Sequence, residues 1–265
     1  MSHRFDHDTT TRRLSDGEHE AELAAAWNIG PVPNGGYQAA LSCRAALVEL
    51  GAPDLVNVTS YFVGASAPGP TRLRVEVLKR GRSNSMASVS LAQGGRERVR
   101  SLVAAGDLGA LTGLELHHEG PPEMPTPERC LHLSPAVTSA PEVLRQVELR
   151  LDPATAAFVR GERGAATELR GWLRFADGRP ADGLALAFFA DVLPPTVFNH
   201  LGVMRWVPTL ELTTQVRRRP APGWMRLRMV TRHVSAGHFE EDGEIWDERG
   251  ELVALSRQRA MILGE

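Results

Sequence analysis

Residues 33–48 read PNGGYQAALSCRAALV, and this stretch decides the fold. Two glycines stand where a helix should begin, and mostly small apolar side chains follow them. Because apolar residues cover most of the circumference, the pattern predicts a helix over 37–50 that is buried on nearly all sides. Small side chains would let a β-sheet wrap closely around such a helix.

The residues after this helix predict β-strands. Residues 72–77 and 87–91 alternate between polar and apolar side chains, which is the period of a half-buried strand. Gly94 and Gly95 mark a hairpin turn, and a third strand is predicted over 98–104. The first half therefore predicts one helix followed by an antiparallel meander.

The second half repeats this order of elements. An apolar helix is predicted near 183–193, and it is followed by strands near 209–216, 225–233, 237–247 and 252–263. One helix followed by an antiparallel meander, twice over, predicts an α+β fold in which a helix lies on a curved sheet in each half.

The two halves also resemble each other at a fixed offset of 154 residues. This offset pairs 67–69 (APG) with 221–223, 72–74 (RLR) with 226–228, 58–60 with 212–214, and Glu97 and Val99 with Glu251 and Val253. We interpret the pattern as a diverged duplication. The alternative is that short APG turns and RLR strands coincide by chance.

A proline-rich stretch separates the halves. The sequence HHEGPPEMPTPERCLHLSPAVTSAPE contains six prolines and breaks every periodic pattern, so residues 109–145 are predicted to form a linker over the surface. The predicted domains are an N-terminal repeat at 1–108 and a C-terminal repeat at 146–265.

Composition excludes several classes of function. With 265 residues, 42% of them hydrophobic, the chain can bury a substantial core. A net charge of -2 gives no electrostatic footprint for nucleic acid or an anionic membrane. Two cysteines, Cys43 and Cys130, are too few for a disulfide framework, and the nine histidines lack metal-ligand spacing, so no metal is predicted. No signal peptide or 18-residue apolar run is found, and the expected location is the cytoplasm.

Several short motifs together resemble the double hot-dog acyl-CoA thioesterases, close to the acyl-CoA thioesterase II type. The motifs are NGGY at 34–37, GRS at 81–83, ADVLPP at 190–195, PT at 208–209 and SRQ at 256–258. The resemblance extends from about Glu18 to Met261. The resemblance implies two fused hot-dog repeats and hydrolysis of an acyl-CoA substrate. It also implies a water molecule held by an Asp, a Thr and a Gln, without a metal or organic cofactor. Those roles fall on Asp191, Thr209 and Gln258.

The residues themselves favour two of these three assignments. Asp191 interrupts the apolar run LALAFFADVLPP in the predicted last turn of the second helix, where it loses hydration and meets the unfavourable end of the helix dipole. A functional carboxylate is therefore favoured over one that caps a loop or pairs with an arginine. Gln258 shares its strand face with small and apolar residues and is expected to point inward, either in a site or as a satisfied core glutamine.

The remaining candidates are less specific. Thr209 and Thr213 share one polar strand face, which is typical of solvated residues, so only the resemblance favours Thr209, and Thr213 is the second candidate. Arg80 and Arg82 are candidates for contacting the phosphates of CoA.

Gly35 and Gly36 leave the first helix start open. Its unpaired N–H groups could hold the negative charge that thioester hydrolysis places on the carbonyl oxygen. A simple turn into the helix fits equally well. The sequence does not decide which of the two helix starts faces the thioester.

Two other functions fit a hot-dog protein. A hydratase of this fold would resemble D-x-N-P-x-H at its acid/base site, whereas residues 191–196 read DVLPPT and lack the Asn and His. A non-catalytic protein that binds acyl-CoA or an acyl carrier would keep the fold without turnover. Because hot-dog sheets commonly associate, a dimer or higher homo-oligomer is expected.

Overall fold

The computed structural model describes residues 3–133, 140–202 and 206–264. In the first half of these residues the helices are α1 (Arg4–Asp8) and α2 (Gly35–Leu50). The strands there are β1 (Arg12–Ser15), β2 (Glu18–Leu23), β3 (Asn28–Ile29), β4 (Val32–Pro33), β5 (Asp54–Phe62), β6 (Gly69–Lys79), β7 (Asn84–Gln93) and β8 (Arg96–Gly106).

The second half contains α3 (Gly183–Phe189) and α4 (Phe198–Leu201). Its strands are β9 (Leu131–His132), β10 (Val147–Leu151), β11 (Glu168–Phe175), β12 (Thr209–Val216), β13 (Met225–Val230), β14 (Val234–Ser235), β15 (His238–Trp246) and β16 (Leu252–Met261). Both predicted helices are present as α2 and α3, and the strands predicted after each of them are confirmed. The strands β1, β2, β5, β10 and β11 and the two-residue strands β3, β4, β9 and β14 were not expected. Among the described residues, no helix is both long and apolar enough to cross a membrane.

One antiparallel sheet of fourteen strands runs through the described part of both halves. Its order is β1-β2-β6-β7-β8-β5-β12-β16-β15-β13-β11-β10-β9, with β14 paired to β15. The halves join where β5 pairs with β12, and there Thr59 lies opposite Thr213. Because these residues are related by the offset of 154, the two repeats meet about a pseudo-twofold axis.

The strand register extends this symmetry with one correction. The pairs Leu73–Leu91 in the first sheet half and Leu227–Ile245 in the second keep the offset of 154. In the last strands Leu91 pairs with Val99, whereas Ile245 pairs with Ala254. The turn between β15 and β16 therefore holds one additional residue, and the predicted equivalence of Val99 with Val253 is wrong by one position.

Helices α2 and α3 pack against each other and both contact the sheet. Helix α2 packs on β5 to β8, and α3 packs on α2, β5 and β12. The alanines at 39, 40, 45 and 46 are fully buried, as the small-residue pattern predicted. The helix begins at Gly35, two residues earlier than expected, because the Asn34 side chain accepts the Tyr37 N–H at 2.9 Å and caps it.

Helix α3 is shorter than predicted. It ends at Phe189 because Asp191 N–H donates to the Phe188 carbonyl at 3.1 Å and Val192 N–H donates to the Phe189 carbonyl at 3.4 Å. These bonds span three residues instead of four, which tightens and ends the helix. Asp191 therefore lies beyond α3, and its predicted position in the last helical turn is wrong.

The predicted linker runs along the C-terminal repeat. The carbonyl oxygens of Pro122 and Pro125 accept hydrogen bonds from Arg226 and Trp172 at 3.3 and 2.9 Å. The linker also contributes β9, which pairs with β10, whereas its residues 134–139 lie outside the described residues. The domain limits at 108 and 146 stay a prediction.

Candidate active site

The Asp191 carboxylate lies at the start of α2, although α2 belongs to the other repeat. Its Oδ2 atom accepts hydrogen bonds from Asn34 Nδ2 at 2.9 Å and from the Gly36 N–H at 3.0 Å. Asn34 Nδ2 also donates to the Asp191 carbonyl oxygen at 2.7 Å. A helix N-terminus carries partial positive charge, so α2 stabilises this anion. The predicted dipole penalty is therefore wrong, because the carboxylate faces the favourable end of a different helix.

The close approach of the Asp191 segment to the start of α2 requires glycine at positions 35 and 36. A Cβ atom on Gly36 would lie 2.6 Å from the Phe188 carbonyl oxygen and 3.0 Å from Asp191 Cβ. On Gly35 it would lie 2.8 Å from Phe62 Cζ and 3.0 Å from Asp191 Oδ2. In this structure the Gly36 N–H is engaged by the Asp191 carboxylate, and the role of the two glycines in binding the substrate stays a prediction.

A β-bulge brings Thr209 to the carboxylate. Thr209 pairs with Ala260 and Glu211 pairs with Arg259, so one additional residue lies in β12 between them. The bulge turns Thr209 toward the buried face, where its hydroxyl lies 3.3 Å from Asp191 Oδ1. The predicted common polar face of Thr209 and its neighbours is therefore wrong at Thr209, since strict alternation breaks at the bulge.

Gln258 points inward, as predicted, and extends the site away from Asp191. It is 7% exposed, and its Oε1 accepts a hydrogen bond from the Thr209 hydroxyl at 2.9 Å. Its Nε2 donates to Glu241 Oε1 at 2.8 Å. Gln258 therefore reaches Asp191 through Thr209, and the carboxylate that it contacts directly is Glu241.

Burial sets the acidity of Asp191. It raises the pKa of the carboxyl from 3.8 to about 6, although hydrogen bonds from Gly36, Thr209, Gly35 and Asn34 oppose the shift. The residue keeps part of its surface accessible. A carboxylate with a pKa near neutrality is ionised at pH 7 and holds a proton more tightly than an ordinary aspartate, which suits a general base.

Two predicted binding residues lie away from the carboxylate. The Thr213 hydroxyl contacts Thr59 at 2.8 Å and donates to Glu211 at 2.7 Å, on the strand face opposite Gln258. The structure therefore does not bring Thr213 to Asp191, because alternation along β12 turns it to the other face, and its role in substrate binding stays a prediction.

Arg82 lies at the far end of α2. Its neighbour Arg80 donates to the carbonyl oxygens of Glu49 and Leu50, at the C-terminus of this helix. A helix of 16 residues is about 24 Å long. Arg82 is exposed there, and the structure does not bring it to Asp191. Its contact with CoA phosphates stays a prediction.

The sequence left two residues of this site unassigned. Asn34 precedes the glycines in the quoted stretch, and its position as a helix cap was a usable signal. Glu241 alternates with Phe239, Gly243 and Ile245 along β15, so an acid on an apolar strand face was the second signal.

The pseudo-symmetric position in the first repeat has no such polar set. The sheet register relates Thr209, Glu241 and Gln258 to Leu55, Ala87 and Val103. These three are buried apolar residues. Within the described ranges each chain therefore forms one polar site of this kind, with Asn34 and Gly36 from the first repeat and the other groups from the second.

Comparison with known proteins agrees with this architecture. The model of the acyl-CoA thioesterase N-terminal domain matches residues 23–106, and that of the C-terminal domain matches 118–262. An uncharacterised protein of Mycobacterium tuberculosis is 30% identical over 92% of this chain and 90% of its own length.

Solved structures extend the comparison to the fold. A Thermobifida fusca protein described as a candidate thioesterase II has a TM-score of 0.89 and 31% identity, and covers 99% of this chain and 98% of its own. An Alicyclobacillus acidocaldarius protein of unknown function with a hot-dog fold has a TM-score of 0.89 at 20% identity, with 100% of both chains covered.

The fold defined by these observations is the α+β double hot-dog, and the predicted fold class is confirmed. Because the two domain models match most of the sequence, this chain belongs to the acyl-CoA thioesterase family. The resemblance noted in the sequence is likewise confirmed.

Proposed function

We propose that this protein hydrolyses an acyl-CoA thioester to a free acid and CoA, using a water molecule activated by Asp191. The observation that carries the proposal is the partly accessible Asp191 carboxylate, which is desolvated, held at a helix start and joined to Thr209 and Gln258. Membership of the acyl-CoA thioesterase family supports the substrate class.

The two oxygens of Asp191 have different roles in this mechanism. Oδ2 is held by Asn34 and Gly36, whereas Oδ1 has the Thr209 hydroxyl as its neighbour at 3.3 Å. Oδ1 is therefore the oxygen that takes a proton from the attacking water. Thr209 and Gln258 orient that water toward the thioester carbonyl carbon.

The bonds change in two steps. The water oxygen bonds to the carbonyl carbon while one of its protons moves to Asp191 Oδ1, which gives a tetrahedral intermediate. Collapse of that intermediate breaks the carbon–sulfur bond and releases CoA as a thiolate. The proton on Asp191 then passes to the thiolate or to solvent, and the carboxylate is restored.

Purified protein is expected to release free thiol from at least one acyl-CoA. The panel should contain short, medium and long straight-chain acyl-CoAs and one aryl-CoA, with release followed by a thiol-reactive chromophore. Saturable binding of an acyl-CoA without thiol release would instead favour the non-catalytic acyl-binding alternative. Mass analysis of the acyl product separates hydrolysis from addition or loss of water within the chain.

Activity is expected to depend on the ionisation of Asp191. The group must be unprotonated to accept a proton, so kcat/KM should rise about tenfold per pH unit up to roughly pH 6 and be level above it. The measurement is a pH profile of kcat/KM at constant ionic strength, with circular dichroism at each pH as a control for folding. A profile that is level down to roughly pH 4, the range of an ordinary aspartate, contradicts this assignment.

The hydratase alternative has less support from the residues present. After Asp191 the chain continues through two prolines to Thr196, and the hydroxyl of Thr196 donates to Thr231 at 2.7 Å. No histidine occupies this segment at 191–196 to act as its acid/base group. Association into a dimer or larger assembly stays a prediction.

A further inference from the structure

The proposed mechanism leaves one buried acid without a role. Glu241 on β15 is 3% exposed, and its two oxygens accept different donors. Oε1 accepts Gln258 Nε2 at 2.8 Å, and Oε2 accepts the main-chain N–H of Thr196 at 2.9 Å. Among the described residues no arginine, lysine or histidine forms a salt bridge with it. A buried carboxylate with only neutral donors lowers stability, so a function explains its presence here better than stability does.

Glu241 connects two parts of the site. Thr196 lies in the segment that also carries Asp191, and Gln258 lies on the last strand of the sheet. The Thr196 hydroxyl in turn donates a hydrogen bond to the Thr231 hydroxyl at 2.7 Å. One carboxylate therefore holds the Asp191 segment and the Gln258 amide in a fixed relation.

Both oxygens of Glu241 accept an N–H group in this structure, and the carboxylate in its ionised form accepts hydrogen bonds without donating one. It therefore fixes the Gln258 amide with Nε2 toward Glu241 and Oε1 toward Thr209. The Thr209 hydroxyl has one proton, and it lies closer to Gln258 Oε1 at 2.9 Å than to Asp191 Oδ1 at 3.3 Å. When the proton is given to Gln258, the lone pairs of Thr209 are directed to the side of Asp191.

We propose that Glu241 is a positioning residue that fixes the direction of the hydrogen bonds through Gln258 and Thr209. In this arrangement Asp191 Oδ1 and Thr209 Oγ1 both act as acceptors, so they hold the two protons of the attacking water. The lone pairs of the water are then left for the thioester carbon. The kinetic part of this inference rests on the proposed hydrolysis.

Replacement of Glu241 by glutamine should reverse this direction without changing the volume. The main-chain N–H of Thr196 is a fixed donor, so the introduced amide must turn its oxygen to Thr196 and its NH2 group to Gln258. The Gln258 amide must then turn over and present its own NH2 group to Thr209. As a result, the Thr209 proton is given to Asp191, and one acceptor for the water is lost.

The charges around Glu241 predict a second effect of the Glu241→Gln substitution, on the pKa of Asp191. The groups that contact Glu241 from the other elements, Gln258, Thr196 and its partner Thr231, are neutral, and Asp191 is the charged group that acts on it. Burial first, and then the Asp191 charge, raise the pKa of Glu241. By reciprocity, a negative charge on Glu241 acts to raise the pKa of Asp191. Loss of that charge, and a Thr209 proton that is no longer shared with Gln258, should both lower the pKa of Asp191.

Glu241→Gln is therefore expected to lower kcat by about 10-fold to 100-fold with little change in KM. The acid limb of the kcat/KM profile should also move to lower pH. The matched control is Glu240→Gln, one residue away on the same strand, where the carboxylate accepts the Arg232 and His233 N–H groups and has no contact with Gln258. The control should keep the wild-type kcat and pH profile.

A wild-type kcat in Glu241→Gln would overturn the proposal. A lower kcat with an unmoved acid limb would overturn it too, because it would indicate only a structural role.

A second measurement is independent of turnover. The side-chain amide signal of Gln258, identified in a 15N–1H spectrum by its loss in Gln258→Leu, should shift strongly in Glu241→Gln and little in Glu240→Gln. An unshifted signal contradicts the hydrogen-bond direction proposed here. If wild-type protein releases no thiol from any acyl-CoA, the hydrolysis proposal fails, while this spectrum still tests the role of Glu241.

Discussion

Asp191→Asn is expected to lower kcat for acyl-CoA hydrolysis by about 100-fold to 10,000-fold while the protein stays folded. The introduced amide has the shape of the carboxyl group, and its oxygen can still accept the Gly36 N–H that holds Asp191 Oδ2 at 3.0 Å. It cannot take a proton from water. The measurement is thiol release with the best substrate of the panel, and full activity in this variant would remove Asp191 from the mechanism.

The same variant should be at least as stable as the wild type at neutral pH. Burial raises the pKa of Asp191 from 3.8 to about 6, so the folded state binds this proton more tightly than the unfolded chain. The free energy of unfolding therefore falls as pH rises from about 4 to about 6, and the ionised group lowers it by about 3 kcal/mol above that range. An uncharged amide avoids this loss. Urea unfolding at pH 7.5 separates a catalytic defect from a folding defect.

Asp182→Asn is a matched control for this experiment. Asp182 is the cap at the opposite end of the same helix, where its carboxylate accepts the Ala185 N–H at 2.8 Å and pairs with Arg179 at 2.6 Å. Loss of this charge should lower stability and leave kcat unchanged. Asp191→Asn should therefore lower kcat without lowering stability, whereas Asp182→Asn should lower stability without lowering kcat.

Gly36→Ala is expected to have the second large effect, on both stability and activity. The added Cβ would lie 2.6 Å from the Phe188 carbonyl oxygen, and rigid main chain cannot move away as a flexible side chain would. Overpacking of this kind lowers the free energy of unfolding by about 1–3 kcal/mol. Because α2 and the end of α3 must separate, the hydrogen bond between Gly36 and Asp191 should lengthen and kcat should fall.

Urea unfolding and thiol release test this prediction together. Gly120→Ala is the control, since Gly120 has open space where a Cβ would be and does not have a positive φ angle. This control should leave the free energy of unfolding and kcat near their wild-type values. If Gly36→Ala behaved in the same way, the close approach of the two helices would not be needed to hold Asp191.

Local patterns predicted the main elements because each depends on neighbours along the chain. The small residues of α2 predicted a buried helix, and alternation predicted the inward direction of Gln258 on β16. The same rule failed at Thr209, because a β-bulge is a property of the paired strands β12 and β16 and has no clear signal in β12 alone.

Helix ends were predicted less well than helix interiors. The two prolines at 194 and 195 predicted a helix up to 193, but α3 ends at Phe189, where the main-chain hydrogen bonds shorten to a span of three residues. Asn34, 157 positions away along the chain, donates to the Asp191 carbonyl just beyond this end, a contact that no local pattern shows. The predicted unfavourable helix dipole at Asp191 was wrong for a similar reason, because its carboxylate faces the start of α2 from the other repeat.

The sequence by itself predicted, from periodicity, an α+β fold with a helix and a sheet in each half. Its resemblance to a known family pointed to the double hot-dog and to Asp191, Thr209 and Gln258 as site candidates. The tertiary structure alone decided which groups meet. It placed the Asp191 carboxylate on the N-terminus of α2, engaged Gly36 with that carboxylate and brought Glu241 behind Gln258. The physical reason is that burial and hydrogen-bond direction depend on partners from distant strands and helices, and these partners come together only when both repeats close around one core.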